Sequence, residues 1–428
     1  MKVLMFGWEF PPNITGGLGT ACHGITKGLL SISEDVDITF VVPKVFGNET
    51  KKKFKLLGAN EIDLIKSKIH YEKFALPLSY CAVDSGLLPY VDPKAYTAMS
   101  EYAVEKIGHQ AISNPLAKIK FSGKYGPDLM KEIHNFSVIG EYLATQSTFD
   151  VIHAHDWLTY PAGIAAKKKS GKPLLIHVHA TDFDRSRGQV NPVVFQIEKE
   201  GMEMAEKIIT VSEHTRKIVI EKYQIPASKV TTVHNGVEPL SSIEHVNHHE
   251  KEPAKTVTFL GRITMQKGPE YFIGLAQYIL ARMDSVNFVM AGSGDMLEAM
   301  KCEVEKAGMT DRFRFPGFLK GDDVFKMLKQ SDIYVMPSVS EPFGISPLEA
   351  MQCGTPCIIS HQSGVSEVVK HAIKTDYWDI EAMADAIHSI LTRPALSQML
   401  SSFGKQEVGQ LEWKDSARKI YHLYHKVA

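Results

Sequence analysis

Short, almost wholly apolar runs alternate along the chain with longer stretches of helical periodicity, and this alternation restricts the fold more than any other feature. In the first half the runs are Val3 to Gly7, Ile38 to Pro43, Val151 to His155, Leu174 to His179, Ile208 to Ser212 and Val230 to His234. A second series comprises Val257 to Leu260, Phe288 to Ala291, Ile333 to Met336 and Pro356 to Ile359. Strands this apolar, separated by helices, imply a parallel sheet covered on both faces. At 428 residues the chain exceeds one ordinary core and fits two α/β domains of about 200 residues each. The expected boundaries are a first domain over 1–240 with a less regular insertion at about 46–135, a polar linker over 241–255, a second domain over 256–410 and a closing helix over 411–428. The linker reading rests on Ser241, Ser242, His245, His248, His249, Glu250, Lys251 and Glu252; the helix reading rests on the spacing of Trp413, Ala417, Ile420, Tyr421 and Tyr424.

In such sheets ligands gather beyond the carboxyl ends of the strands, and the unusual residues cluster there. After the first run come Trp8-Glu9-Phe10-Pro11-Pro12 and then Thr15-Gly16-Gly17-Leu18-Gly19, opening a helix. Glycine lets a backbone approach a ligand closely, although any tight strand-to-helix turn also favours it. His153-Ala154-His155-Asp156-Trp157 ends one strand and Ile176-His177-Val178-His179-Ala180 the next. The paired histidines invite a metal reading, which is set aside, as is the histidine trio of the linker. Asp182-Phe183-Asp184 reads as an acidic turn starting a helix. Tyrosines 90, 96, 102 and 125 of the insertion are expected mainly to pack, with stacking on an acceptor sugar as the alternative.

In the second half, Leu260-Gly261-Arg262 through Lys267-Gly268 places two cations in a glycine-flanked turn. A guanidinium with paired N–H donors and an ammonium acting as a point charge make a diphosphate clamp. Ala291-Gly292-Ser293-Gly294-Asp295 and Phe315-Pro316-Gly317-Phe318 are candidate walls for a nucleotide base, or plain structural turns. The stretch Ser340-Glu341-Pro342-Phe343-Gly344-Ile345-Ser346-Pro347-Leu348-Glu349-Ala350-Met351 then sets two carboxylates on either side of a strand-to-helix turn, Glu341 in the loop and Glu349 in the first helical turn. A helix N-terminus offers unpaired N–H groups to phosphate, and flanking carboxylates suit hydroxyls. A sugar nucleotide carries both kinds of group. Glu349 alone is equally well explained as an acid favouring the helix dipole.

Glu341-Pro342-Phe343-Gly344 followed by Leu348-Glu349-Ala350-Met351 resembles the two-glutamate signature of retaining nucleotide-sugar glycosyltransferases, most closely the glycogen and starch synthases. The His-Asp-Trp segment, the Gly16-Gly17 loop and the Arg262 to Lys267 run resemble the same group. The resemblance implies a GT-B architecture: two facing Rossmann-like domains with parallel sheets and the reaction in the cleft between them. It places catalytic roles on His179, Glu341 and Asp156, and donor binding on Gly16, Gly17, Arg262, Lys267, Gly344, Ile345 and Glu349. It further implies an ADP-glucose or UDP-glucose donor, an α-1,4-glucan acceptor, retention of configuration, and chemistry without metal or other cofactor. One departure stands out, since Ile14 occupies the place where many of those enzymes carry a lysine. Another acceptor, such as one leading to sucrose, trehalose or a surface glycan, and a non-catalytic binder are the alternatives.

Charge supports a small or neutral ligand. With 48 basic against 49 acidic residues, nothing points to nucleic acid or an acidic membrane surface. No apolar run approaches the length of a membrane span. Cys22, Cys81, Cys302, Cys353 and Cys357 match no zinc pattern and read as buried free thiols in a reducing cytoplasm. No G-x-G-x-x-G with a ribose-binding acid follows the first strand, which counts against a dinucleotide oxidoreductase.

Overall fold

A computed structural model describes residues 1–14, 16–49, 54–62, 121–123, 125, 126, 128–239, 254–283 and 285–428. Most of the expected insertion, with Cys81, Tyr90, Tyr96 and Tyr102, and the linker from 241 to 253 lie outside the described residues.

Among the described residues the strands form two sheets, each parallel throughout. The first comprises β1 (Lys2–Phe6), β2 (Asp37–Val42), β3 (Lys55–Gly58), β4 (Val151–His155), β5 (Leu174–Val178), β6 (Lys207–Thr210) and β7 (Val230–Thr232), in the spatial order β3-β2-β1-β4-β5-β6-β7. The second comprises β8 (Lys255–Leu260), β9 (Val286–Ala291), β10 (Phe313–Gly317), β11 (Ile333–Met336), β12 (Cys357–Ser360) and β13 (Ile373–Thr375), ordered β10-β9-β8-β11-β12-β13. Both sheets wind outward from a central strand in one direction and then in the other. The reversal opens a crevice between β1 and β4 and another between β8 and β11, at the strands' carboxyl ends.

In the first domain the helices are α1 (Gly17–Ile32), α2 (Leu129–Gln146), α3 (Tyr160–Ser170), α4 (Asp182–Arg185), α5 (Pro192–Met204) and α6 (Glu213–Glu221). Local chemistry sets several of their ends. Asn191 Oδ1 accepts from the N–H groups of Val193 and Val194, Ser212 Oγ from that of Thr215, and α3 stops at Gly171 with φ of +70°. In the second domain lie α7 (Pro269–Leu280), α8 (Leu297–Lys306), α9 (Asp322–Gln330), α10 (Ser346–Gln352), α11 (Ile380–Thr392) and α12 (Pro394–Val408).

Strand alternation divides the first core. Ile152, Ala154 and Ile176 join Phe6, Trp8 and Phe136 under α2 and α3, whereas Val151 and Leu175 face α1 and the closing helix α13 (Trp413–Val427). That helix therefore lies on the first domain, although it follows the second in sequence. Its seat on α1 is cut by glycines: a Cβ on Gly24 would lie 2.2 Å from the Trp413 ring, and one on Gly28 2.7 Å from the Trp413 carbonyl oxygen.

Among the described residues no helix is long and apolar enough to cross a membrane. Cys22 and Cys357 are buried, Cys353 is half-buried and Cys302 is exposed, all four free. The expectation of buried thiols fails at Cys302 because α8 turns Met300 and Val304 inward and leaves residue 302 outside.

Candidate active site

Gly16, Gly17, Asp156, His179, Arg262, Lys267, Glu341, Gly344, Ile345 and Glu349 all line one cleft of about 660 Å³ between the domains. Each lies just beyond the carboxyl end of a strand or at the start of the helix that follows it.

On the first-domain wall, a Cβ on Gly16 would stand 4.0 Å from Arg262 Cδ, so the loop faces the opposite domain closely. Gly17 has open space around it; Gly19 is the tighter position, since a Cβ there would meet the Ile14 side chain at 2.2 Å. Asp156 directly follows β4 with φ of +60°, unusual for a residue other than glycine. Its Oδ1 accepts from the N–H groups of His179 at 2.7 Å and Ala180 at 3.3 Å, which fixes the end of β5. Its Oδ2 lies 3.4 Å from Arg185, which also reaches Glu198 at 3.2 Å and the Ala180 carbonyl at 3.1 Å. Burial pushes the Glu198 carboxyl up to about 8, with Arg185 acting against that rise. Arg185 lines the cleft and carries no role in the sequence reading. The available signal is its position directly after the acidic turn, one residue beyond Asp184.

His179 Nε2 lies 2.9 Å from His155 Nδ1. Burial lowers the pKa of His179, Asp156 opposes this and Arg185 adds to it, so the ring is neutral near neutral pH. Tyr125, expected mainly to pack, also lines the cleft and donates to Glu9 at 3.2 Å. Asp182 and Asp184 behave as a helix start. Asp184 accepts from both the N–H and the hydroxyl of Thr181 at 2.8 Å, and Asp182 accepts from the Asn191 N–H at 2.6 Å.

On the second-domain wall, Arg262 follows β8 and a 3-10 turn over Met265–Lys267 presents Lys267. The turn closes through Gly268 at φ of +64°, where a Cβ would lie 2.3 Å from the Pro337 carbonyl oxygen. Lys267 Nζ pairs with Glu341 Oε2, to which Ser338 Oγ also donates at 3.3 Å. The Glu341 backbone is tied on both sides, its N–H to Gln362 O and its carbonyl to Gly364 N, each at 2.9 Å. Gly344, at φ of +100°, leaves Glu341 Cγ, Val365 and Met336 all within 3.3 Å of where a Cβ would sit. Ile345 precedes α10, whose first turn carries Glu349; burial pushes that carboxyl up to about 7. Gly292, Ser293 and Phe318, the candidate base walls, line the same cleft, and Phe318 is 47% exposed at its rim.

Contacts between the domains frame the cleft. Ser340 Oγ donates to Asp184 at 2.5 Å and lies 3.1 Å from His214 Nε2. The Glu367 carboxylate accepts from the N–H groups of Glu213 and His214 at 2.8 and 2.7 Å, capping α6 from the other domain. Arg187 reaches the Met265 carbonyl at 2.8 Å and Glu270 at 2.5 Å.

Solved structures share this two-domain arrangement along the whole chain. A sucrose-phosphate synthase from Thermosynechococcus elongatus superposes with a TM-score of 0.70 at 17% identity, over 99% of this chain and 98% of that one. The Anabaena protein HepE, in complex with UDP and glucose, gives 0.66 at 15% identity over the whole of both chains. Residues 242–407 match the family model of Glycosyl transferases group 1, and residues 104–239 that of Glycosyltransferase Family 4. The chain is a GT-B glycosyltransferase of group 1. This glycosyltransferase is 27% identical to an uncharacterised glycosyltransferase of Methanocaldococcus jannaschii, over 99% of this chain and 98% of that one. It is 23% identical to a glycogen synthase of Mycobacterium tuberculosis, over 99% and 94% respectively.

Proposed function

We propose that the enzyme transfers glucose from ADP-glucose or UDP-glucose to the non-reducing end of an α-1,4-glucan, with retention at the anomeric carbon. The observation that carries this reading is the grouping of two cations, Arg262 and Lys267, with two carboxylates, Glu341 and Glu349, on one wall of one cleft. As the bond from the anomeric carbon to the diphosphate breaks, negative charge grows on the leaving oxygens and positive charge on the sugar. Arg262 and Lys267 answer the first as fixed charges; Glu341 answers the second. Glu349 takes the ribose hydroxyls. His179, held in place by Asp156 through its backbone, contacts the donor hexose. The Gly16-Gly17 loop covers the donor from the first domain, and the interdomain contacts keep water from the reacting carbon.

The HepE complex supports a glucose nucleotide as donor, and the mycobacterial glycogen synthase supports a glucan acceptor. The second reading keeps the donor and changes the acceptor to one leading to sucrose, trehalose or a surface glycan. Ile14, which lines the cleft, and the sucrose-phosphate synthase neighbour favour it. A non-catalytic binder fits less well with so many reactive side chains gathered together. The deciding experiment incubates the purified chain with ADP-glucose and, separately, UDP-glucose, each with and without glycogen. Nucleoside diphosphate release and radiolabel in precipitated polymer are followed. Labelled polymer is the expected result. Release without polymer label moves the assignment to the second reading, and no release from either donor overturns both.

A further inference from the structure

Behind His179 along β4 and β5, a group of buried imidazoles carries nitrogens without hydrogen-bond partners. His155 of β4 pairs in register with His177 of β5, and His153 lies two residues back on the same face. All three rings are fully enclosed. The ring centres are 4.2 Å apart for His153 and His155, 5.3 Å for His155 and His177, and 5.5 Å for His153 and His177. Two rings are held from behind: His153 Nδ1 lies 2.6 Å from the Tyr424 hydroxyl, and His155 Nδ1 lies 2.9 Å from His179 Nε2. His153 Nε2, His155 Nε2 and both nitrogens of His177 have no hydrogen-bond partner. Buried polar atoms are normally satisfied, and several orphans side by side call for a shared partner.

We propose that His153, His155 and His177 form a binding site for one transition-metal ion, with zinc the best fit. One nitrogen from each ring lies within 4.8 Å of the others. Three nitrogens bound at about 2.0–2.1 Å to one tetrahedral zinc stand about 3.4 Å apart, so the rings draw together on the ion to close the group. Three imidazoles suit zinc, copper, nickel or cobalt over calcium or magnesium. Ligation through Nε2 leaves His153 and His155 with N–H at Nδ1, donated to Tyr424 and His179 respectively. A metal-bound histidine typically donates its second N–H in this way. Cys22 forms an overlapping group with His155 and His179. Substitution of Cys22 separates the two groups.

The ion ties β4 to β5 below Asp156 and His179 and, through Tyr424, to α13, outside the reaction itself. Because the rings are enclosed, loading accompanies folding. The test therefore produces tag-free chain in minimal medium supplemented with zinc or cobalt, removes surface metal by dialysis against EDTA, and measures bound metal by mass spectrometry. The expected result is one metal per chain, retained in Cys22→Ala and lost in His177→Val and His177→Asn, with circular dichroism reporting that each variant is folded. The cobalt protein shows d–d bands without thiolate charge transfer, a readout on the wild type that stands even if both His177 variants fail to fold. Folded wild-type chain without stoichiometric metal overturns the proposal and assigns the orphan nitrogens to water. Metal kept in folded His177→Val, or a thiolate band abolished by Cys22→Ala, overturns it by placing the ion elsewhere.

Discussion

The Lys267 ammonium and the Glu341 carboxylate form an ion pair on the second-domain wall of the cleft, with side chains only 16% and 9% exposed. The cation proposed for the leaving diphosphate is thus held by the acid proposed for the sugar. On the proposed function, a bound diphosphate would compete for Lys267 and release Glu341 toward the hexose. Lys267→Ala is expected to weaken nucleoside diphosphate binding by about 10- to 100-fold, the worth of a charge-assisted hydrogen bond. Glu341→Gln is expected to lower turnover by about 10²–10³-fold while binding the diphosphate at least as tightly as wild type. Calorimetry alongside initial rates checks both; diphosphate affinity falling in Glu341→Gln counts against the competition.

Glu349 gives the cleft a pH dependence near neutrality. Burial raises its carboxyl to about 7 from the ordinary 4.5. The folded chain therefore holds a proton that the unfolded chain has lost, and this group's contribution to stability falls as pH rises through that window. On the proposed ribose contact the hydroxyls would donate to the ionised form, so donor affinity is expected to move the other way. Between about pH 6 and about pH 8 the ionised fraction, and with it the association constant, rises by up to about tenfold. Titrations of nucleoside diphosphate binding check this, and Glu349→Gln should remove that component.

At the domain contact stability moves with pH in the same direction as for Glu349. Burial works against a charged His214, but the hydrogen bond and charge of Asp184, with Glu367 and Glu341, raise its pKa above 6.5. Its stabilisation is fully present below 6.5 and is lost as pH rises through the raised value. His214→Gln is expected to cost about 1–3 kcal/mol at about pH 6 and progressively less toward about pH 9. Urea unfolding of both proteins at each pH measures the difference, and an equal cost at every pH would mean that a charged His214 does not hold the domain contact.

Gly28 tests how closely the closing helix is seated. The Cβ of Gly28→Ala would meet the Trp413 carbonyl oxygen and, at 2.9 Å, the Ala417 methyl. Neither gives way cheaply. Gly28→Ala is expected to destabilise the fold by about 1–3 kcal/mol despite alanine's higher helix propensity, read from the denaturation midpoint. An unchanged midpoint would mean that α13 shifts freely.

Legibility in the sequence followed burial. The central strands β4 and β11 are buried at every position; β11 stands out as an unbroken apolar run and β4 as one interrupted by His153 and His155. The edge strands β3 and β13 are only partly covered and lack such a run, so they are absent from the sequence reading. Site residues close to a recognisable local pattern, such as Glu341 and Lys267, were legible because the pattern includes them. Arg185 was not, because its partners Asp156 and Glu198 are brought to it by α3, β5 and α5. The contact of Ser340 with Asp184 depends on two domains docking across 156 positions of chain. Periodicity has no access to such an event.

The seat of α13 on α1 also bears on how the chain is made. Trp413, Ala417, Ile420 and Tyr424 complete a core begun by Val3, Met5 and Cys22, so once the ribosome has delivered the entire first sheet, one of its faces is covered by α1 without α13. The second domain must be synthesised before that face is fully covered. Nascent chains stalled between the two domains should therefore be the species that chaperones and proteases recognise.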